Sequence, residues 1–119
     1  MLAGAITRSG SPVVPIEILG VAYLATIDTG FEGGLQLPDS FKSFCDQTIV
    51  SQQSYELPDG REIVRNLYEV QVVLDDYLVD LKTQFEESDQ ILLGTDALKD
   101  YRLEVNFVAG TVVLERATS

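Results

Sequence analysis

Apolar and polar residues alternate along most of this chain in short runs rich in Val, Ile, Leu, Tyr and Thr, broken by Gly, Pro and Asp at the spacing of β-strands. The pattern is that of a mostly β protein. Residues 13–19 read as a first strand, moved toward a sheet edge by Pro15, whose nitrogen has no hydrogen to donate to a neighbour. After Gly20 the chain returns over residues 21–27, so the two runs form a hairpin that ends in Asp28-Thr29-Gly30. Residues 35–37 make a brief strand. Pro38-Asp39 then opens a short helical turn through Cys45, with Phe41, Phe44 and Cys45 on one face against the core. Residues 47–57 and 61–74 are longer runs joined by Pro58-Asp59-Gly60, where proline's fixed φ and glycine's freedom suit a tight reversal. They are expected to project as a hairpin. Asp75-Asp76 makes the next turn, residues 77–85 the next strand, and Glu86-Glu87-Ser88-Asp89 an acidic loop; both acid clusters read as solvated turns. Residues 91–94 form a buried strand, and Thr95 caps a short helix through Tyr101. Residues 102–108 and 111–115 close the chain as a hairpin turning at Ala109-Gly110. The first ten residues turn polar after Ile6 and are assigned no element.

Length and composition narrow the function. A chain of 119 residues builds one core and not two, so residues 1–119 are expected to be a single domain. With 45% apolar and 23% charged residues it lies in the ordinary range for a folded globular protein. Its 19 acidic against 8 basic residues give a formal charge of −11, which repels phosphate backbones and anionic lipid, so neither nucleic acid nor membrane is an expected partner. The absence of histidine removes imidazole acid–base catalysis, Ser-His-Asp and Cys-His nucleophiles and His-containing metal sites. Proton chemistry falls to carboxylates, Lys, Tyr or Cys. Cys45 alone cannot form an internal disulfide and reads as a small buried hydrophobe in a reducing compartment. No secretory signal opens the sequence, and no apolar run approaches the roughly 18 residues of a membrane span, so a cytoplasmic location is expected. Neither acid cluster has the spacing of a calcium loop; no metal or cofactor is expected.

One constellation carries chemistry. The segment Leu24-Ala25-Thr26-Ile27-Asp28-Thr29-Gly30 places an acid directly after an apolar strand, then a hydroxyl residue and a glycine that permits close backbone approach. Two landmarks follow: the Leu57-Pro58-Asp59-Gly60-Arg61 reversal and the apolar-apolar-Gly segment Leu92-Leu93-Gly94 that leads into a short helix. In this order and spacing, from about Val13 to Glu115, they resemble the retropepsin-like aspartic proteases, and more closely their prokaryotic single-domain members. The resemblance implies a closed β-barrel-like lobe with one or two short helices. It implies that Asp28 is the catalytic aspartate, that the Thr29 hydroxyl braces the loop against a partner subunit, and that Gly30 is a backbone contact beside substrate. Leu57 to Arg61 would then be a flap tip, and Leu92, Leu93 and Gly94 the support behind the catalytic loop. The chain departs from the viral pattern at Phe31, where a small residue is usual, and at Thr95-Asp96, where an arginine bracing the dimer would stand.

Elementary chemistry makes the same demand. Amide hydrolysis by water needs one group to accept the water's proton and another to protonate the carbonyl oxygen. Two carboxyls a few ångströms apart do both, because like-charge repulsion keeps one protonated while the other is ionised. Only one Asp-Thr-Gly is present, so the chain is half of a site that a two-fold homodimer would complete. The substrate expected is a peptide or unfolded protein segment, bound extended beneath the hairpin. Two other readings stay open: a peptide-binding module that keeps the fold without the chemistry, and a structural or regulatory β-barrel partner of another protein.

Overall fold

Tight turns set the strand boundaries. Leu19 (φ 50°) and Gly20 (φ 80°) both take the left-handed region and reverse the chain in two residues, placing Ile18 opposite Val21. Asp75 (φ 51°) and Asp76 (φ 64°) repeat this geometry and put Leu74 opposite Tyr77. Such turns match the right-handed twist of the strands they join, and Asp tolerates them better than most side chains.

The computed structural model describes residues 1–117. In chain order they form β1 (Leu2–Ile6), β2 (Pro12–Ile18), β3 (Val21–Ile27), β4 (Leu35–Pro38), a 3-10 turn (Asp39–Phe44), β5 (Ile49–Glu56), β6 (Glu62–Leu74), β7 (Tyr77–Glu86), β8 (Leu92–Leu93), α1 (Thr95–Leu98), β9 (Tyr101–Asn106) and β10 (Thr111–Arg116). All the strands belong to one sheet, in the order β5-β6-β7-β4-β8-β3-β2-β1-β10-β9. Where Glu17 of β2 faces Val73 of β6 the sheet closes on itself, so β2, β3, β8, β4, β7 and β6 make a barrel. The pairings are antiparallel except β3–β8 and β4–β7. Alternate residues point inward: Val14, Ile16 and Ile18 of β2, Leu35 and Leu37 of β4, Val72 and Leu74 of β6, and Leu93 of β8 are fully buried. Phe41 of the 3-10 turn covers one end of this core and meets the Tyr23 ring edge-on at 5.1 Å. The mostly β, barrel-like architecture is the one that the alternation and the resemblance imply.

Several expectations change. Residues Leu2–Ile6, assigned nothing from sequence, form β1 between β10 and β2. β1 runs close to β2 because Gly4 has no Cβ to strike the Val13 carbonyl and the Val14 side chain. β2 is consequently interior, not an edge. Pro15 is tolerated because its outer side falls between Val13, where the partner is β1, and Glu17, where it is β6. The helix after Gly94 ends at Leu98, since Tyr101 already pairs with Arg116, and the Thr95 side chain makes no capping bond. Phe44 is exposed while Phe41 is buried. Asp75 is only 5% exposed instead of solvated. Cys45 is half-buried and packs against the core, and burial pushes its thiol pKa up, which disfavours the thiolate.

Candidate active site

Asp28 leaves the barrel at the end of β3, and the neighbouring strand fixes it there. Thr26 and Asp28 donate their amides to the carbonyls of Ile91 and Leu93 at 2.8 and 2.9 Å, continuing the parallel β3–β8 ladder. The Asp28 carboxylate accepts the Gly30 amide through Oδ1 at 2.9 Å, and the Phe31 amide donates to the Asp28 carbonyl at 3.1 Å. This turns the chain within four residues and leaves Asp28 half-buried, with Thr29 and Gly30 exposed.

A second set of bonds latches the rest of the loop onto the start of α1. Gly94 donates to the Gly34 carbonyl at 2.9 Å, Thr95 to that of Phe31 at 2.8 Å, and Asp96 to that of Gly33 at 3.1 Å. Thr95-Asp96 thus ties the loop with backbone amides where the viral pattern has an arginine. Glycine is required for this closeness. A Cβ on Gly94 would strike the Gly33 carbonyl and come within 2.7 Å of Phe31 Cδ2; one on Gly33 would lie 2.5 Å from Phe31 Cζ. The bulky Phe31 is accommodated because its ring occupies the space these two glycines leave.

The β5–β6 hairpin stands beside this loop. Its tip is closed by Leu57 donating to the Arg61 carbonyl at 2.7 Å and Gly60 (φ 86°) to the Leu57 carbonyl at 2.9 Å. Asp59 accepts the Arg61 amide at 3.1 Å and the Arg61 Nε at 2.6 Å. Leu57 is half-buried, and Pro58, Asp59, Gly60 and Arg61 are exposed. No residue of β5 is buried, nor any of β6 before Leu67, so the outer hairpin is supported mainly by its own ladder.

Tyr55, Ile63 and Arg65 share the hairpin's inner face, and with Phe31, Gln84 and Glu86 they line an open hollow of about 160 Å³. Tyr55 Oη donates to Gln84 Oε1 at 2.8 Å, while Glu86 Oε1 accepts from Arg65 Nε at 2.7 Å and Gln84 Nε2 at 3.2 Å. Burial, followed by the Glu86 charge, pushes the Tyr55 phenol pKa up. Sequence reasoning did not single out Tyr55, Ile63, Arg65, Gln84 or Glu86 as a group; the only signal was the period-two placement of residues 55, 63 and 65 on one hairpin face. The structure brings the Asp28 turn and the Leu92-Leu93-Gly94 segment into direct contact. The hairpin tip, Leu57 to Arg61, bonds within itself.

A barrel closed through β2 and β6, a loop latched at the end of β3 and a projecting hairpin together make a retropepsin-like fold. The chain is similar in structure to a retropepsin-like aspartic protease from Rickettsia conorii, with a TM-score of 0.72 and 18% identity over 96% of this chain and 89% of that one. The solution structure of a simian foamy virus protease matches with a TM-score of 0.59 and 20% identity, over 73% of this chain and 91% of that one. A foamy viral protease-reverse transcriptase bound to an RNA/DNA hybrid matches with a TM-score of 0.61 and 12% identity, over 79% of this chain and 12% of that one. No family model matches the sequence, and no curated protein matches it.

Proposed function

We propose that the protein is an aspartic endopeptidase active as a homodimer, with Asp28 of each subunit facing the other across a two-fold axis. The observation that carries this reading is the Asp28-Thr29-Gly30 turn, anchored by Leu93 to Asp96 at the end of a buried strand in a retropepsin-like fold. One Asp28 carboxylate takes a proton from water while the other, protonated, gives its proton to the substrate carbonyl oxygen. Water oxygen bonds to the carbonyl carbon, producing a tetrahedral diol. Collapse transfers a proton to the amide nitrogen, breaks the C–N bond, and releases a carboxylic acid and an amine. The peptide lies extended against the hairpin as an added strand, and the Leu57–Arg61 tip opens and closes over it. Thr29 is exposed beside Asp28, and in this reading its hydroxyl braces the partner subunit's loop. The lone Cys45 fits a reducing, cytoplasmic setting.

The test compares wild type with Asp28→Asn for cleavage of an unfolded protein across pH 3 to 7, with molecular mass measured in the same buffers. Cleavage confined to a dimer, and reduced at least about 100-fold by the substitution, is the expected result. A dimer that binds peptides without cutting them would instead identify a binding module, and a strict monomer without peptide affinity a barrel with some other partner.

A further inference from the structure

We propose that a gap in the barrel wall, at the end remote from Asp28, docks an extended basic segment of a partner protein, which adds to β6 as a short strand and seats one aliphatic side chain between Leu19 and Phe44. β7 lines one side of β6 from Tyr68 to Leu74. On the other side β5 pairs with β6 only as far as Tyr68, and β2 meets it only at Val73. Among the described residues, 69–71 have no register partner there, and an unpaired strand edge is a template for a further strand. An open hollow of about 190 Å³ lies against this edge, lined by Leu19, Phe44, Cys45 and Val70. Leu19 and Gly20 join β2 to the start of β3, whereas Asp28 follows its end, which puts the hollow roughly 20 Å from the acid. Docking here is independent of whether Asp28 hydrolyses peptides.

The two apolar lips point to a partner. Leu19 is 70% exposed at φ 50°, so a large apolar side chain stands in solvent on a left-handed residue that Gly or Asn would supply with less strain. Phe44, 46% exposed, is held by the Phe41 ring at 5.1 Å and is in position before anything docks. The charged residues of the lining, Asp46 and Glu69, are both acidic. The Thr48 hydroxyl and amide donate to Asp46 Oδ1 at 2.8 and 3.0 Å and hold its carboxyl below the usual carboxylate range, so its charge persists in mild acid. Lys42 is paired with Asp39 at 3.3 Å, and Lys82 faces Glu69 from the β7 side, away from the gap. A segment with Lys or Arg two residues to either side of an aliphatic one presents all three on one face of an extended chain and matches this rim. The charge of −11 draws such a segment in.

The experiment uses the full chain and the fluorescent heptapeptide Thr-Lys-Thr-Leu-Thr-Lys-Thr, with binding read by anisotropy at pH 7. Alkylation of Cys45, the only thiol, by N-ethylmaleimide reports whether the peptide lies in the hollow. At a peptide concentration of about ten times Kd, alkylation is expected to slow about tenfold. Replacing the Leu by Ser, or N-methylating the two Thr beside it to remove strand hydrogen bonds, should each weaken binding at least about fivefold. Leu19→Asn removes one lip while suiting the left-handed turn, so the chain keeps its fold and should bind at least about fivefold more weakly. Glu69→Gln should bind about twofold to fivefold more weakly and with less dependence on salt. Asp28→Asn should bind as wild type does. Binding that leaves Cys45 unprotected, that survives Leu19→Asn or that is lost in Asp28→Asn would place the peptide elsewhere and overturn the proposal, as would no binding at all. A molecular mass that falls on Leu19→Asn without peptide would give this face to a second copy of the chain instead.

Discussion

Gly94 has no room for even one added carbon. A Cβ there would meet two backbone carbonyls, and backbone cannot swing aside as a flexible side chain does. Gly94→Ala is therefore expected to cost about 1–3 kcal/mol and lower the melting temperature by about 5–15 °C, measured by circular dichroism. An unchanged melt would show the loop to be adaptable. Asp75 makes a different prediction. The hydrogen bond from the Met1 ammonium at 2.8 Å, reinforced by the Arg116 amide at 3.1 Å, outweighs desolvation and holds the Asp75 carboxyl below the usual carboxylate range. Its folded pKa lies below the unfolded value of about 3.9, so its stabilisation is present above that value and is lost as pH falls through the folded one. Asp75→Asn should melt earlier than wild type at pH 6, and the two should converge toward pH 2; parallel curves would assign the acid slope to other carboxylates. The placement of the Asp28 turn at the end of a buried strand was legible from its neighbours in sequence. Asp75 was not, because an acid doublet in a turn is ordinarily solvated, and its burial depends on Met1 and Arg116 meeting there from opposite ends of the described chain.

The hairpins were legible, since Gly20, Pro58-Asp59-Gly60, Asp75-Asp76 and Ala109-Gly110 mark reversals and the runs between them alternate. What escaped had weak local signals. β1 is a short run of small residues around Gly4, with little to separate it from a loop until β10 and β2 receive it. The reach of α1 was overestimated because Ala97, Leu98 and Tyr101 share a helical period, whereas Tyr101 is claimed by the ladder with β10. The hollow between Phe31 and the hairpin was invisible for a related reason: it exists only through the relative placement of β5, β6 and β7. The outer hairpin, lacking buried side chains, should also open locally. Amides of residues 51–56 and 62–66 are expected to exchange at least about tenfold faster than those of β2 and β3 in native-state hydrogen exchange. Equal protection would mean that the hairpin is held by more than its own ladder.

At the scale of the molecule, the radius of gyration is 14.5 Å, against about 13.5 Å for a compact chain of this length, a difference in keeping with an arm that stands off the barrel. The ring closure at Glu17 and Val73 joins residues far apart in sequence, and no local pattern announces it. Two subunits of charge −11 repel each other. Raising salt from about 0.01 to about 1 M shortens the screening length from about 30 to about 3 Å, so the proposed dimer should tighten. Sedimentation equilibrium reads this, and a dimer that loosened in salt would have to be held by opposite charges across its interface. The latch on the Asp28 loop has a consequence in time. Asp28 leaves the ribosome long before Leu93 and Thr95 do, and Thr95 is bound to a carbonyl 64 residues earlier. Throughout most of synthesis the acid hangs on an unanchored turn. A half-made chain therefore carries the Asp28 turn without its latch, and the proposed peptidase would have no anchored acid to turn on neighbouring polypeptides until residues 93–96 have been laid down.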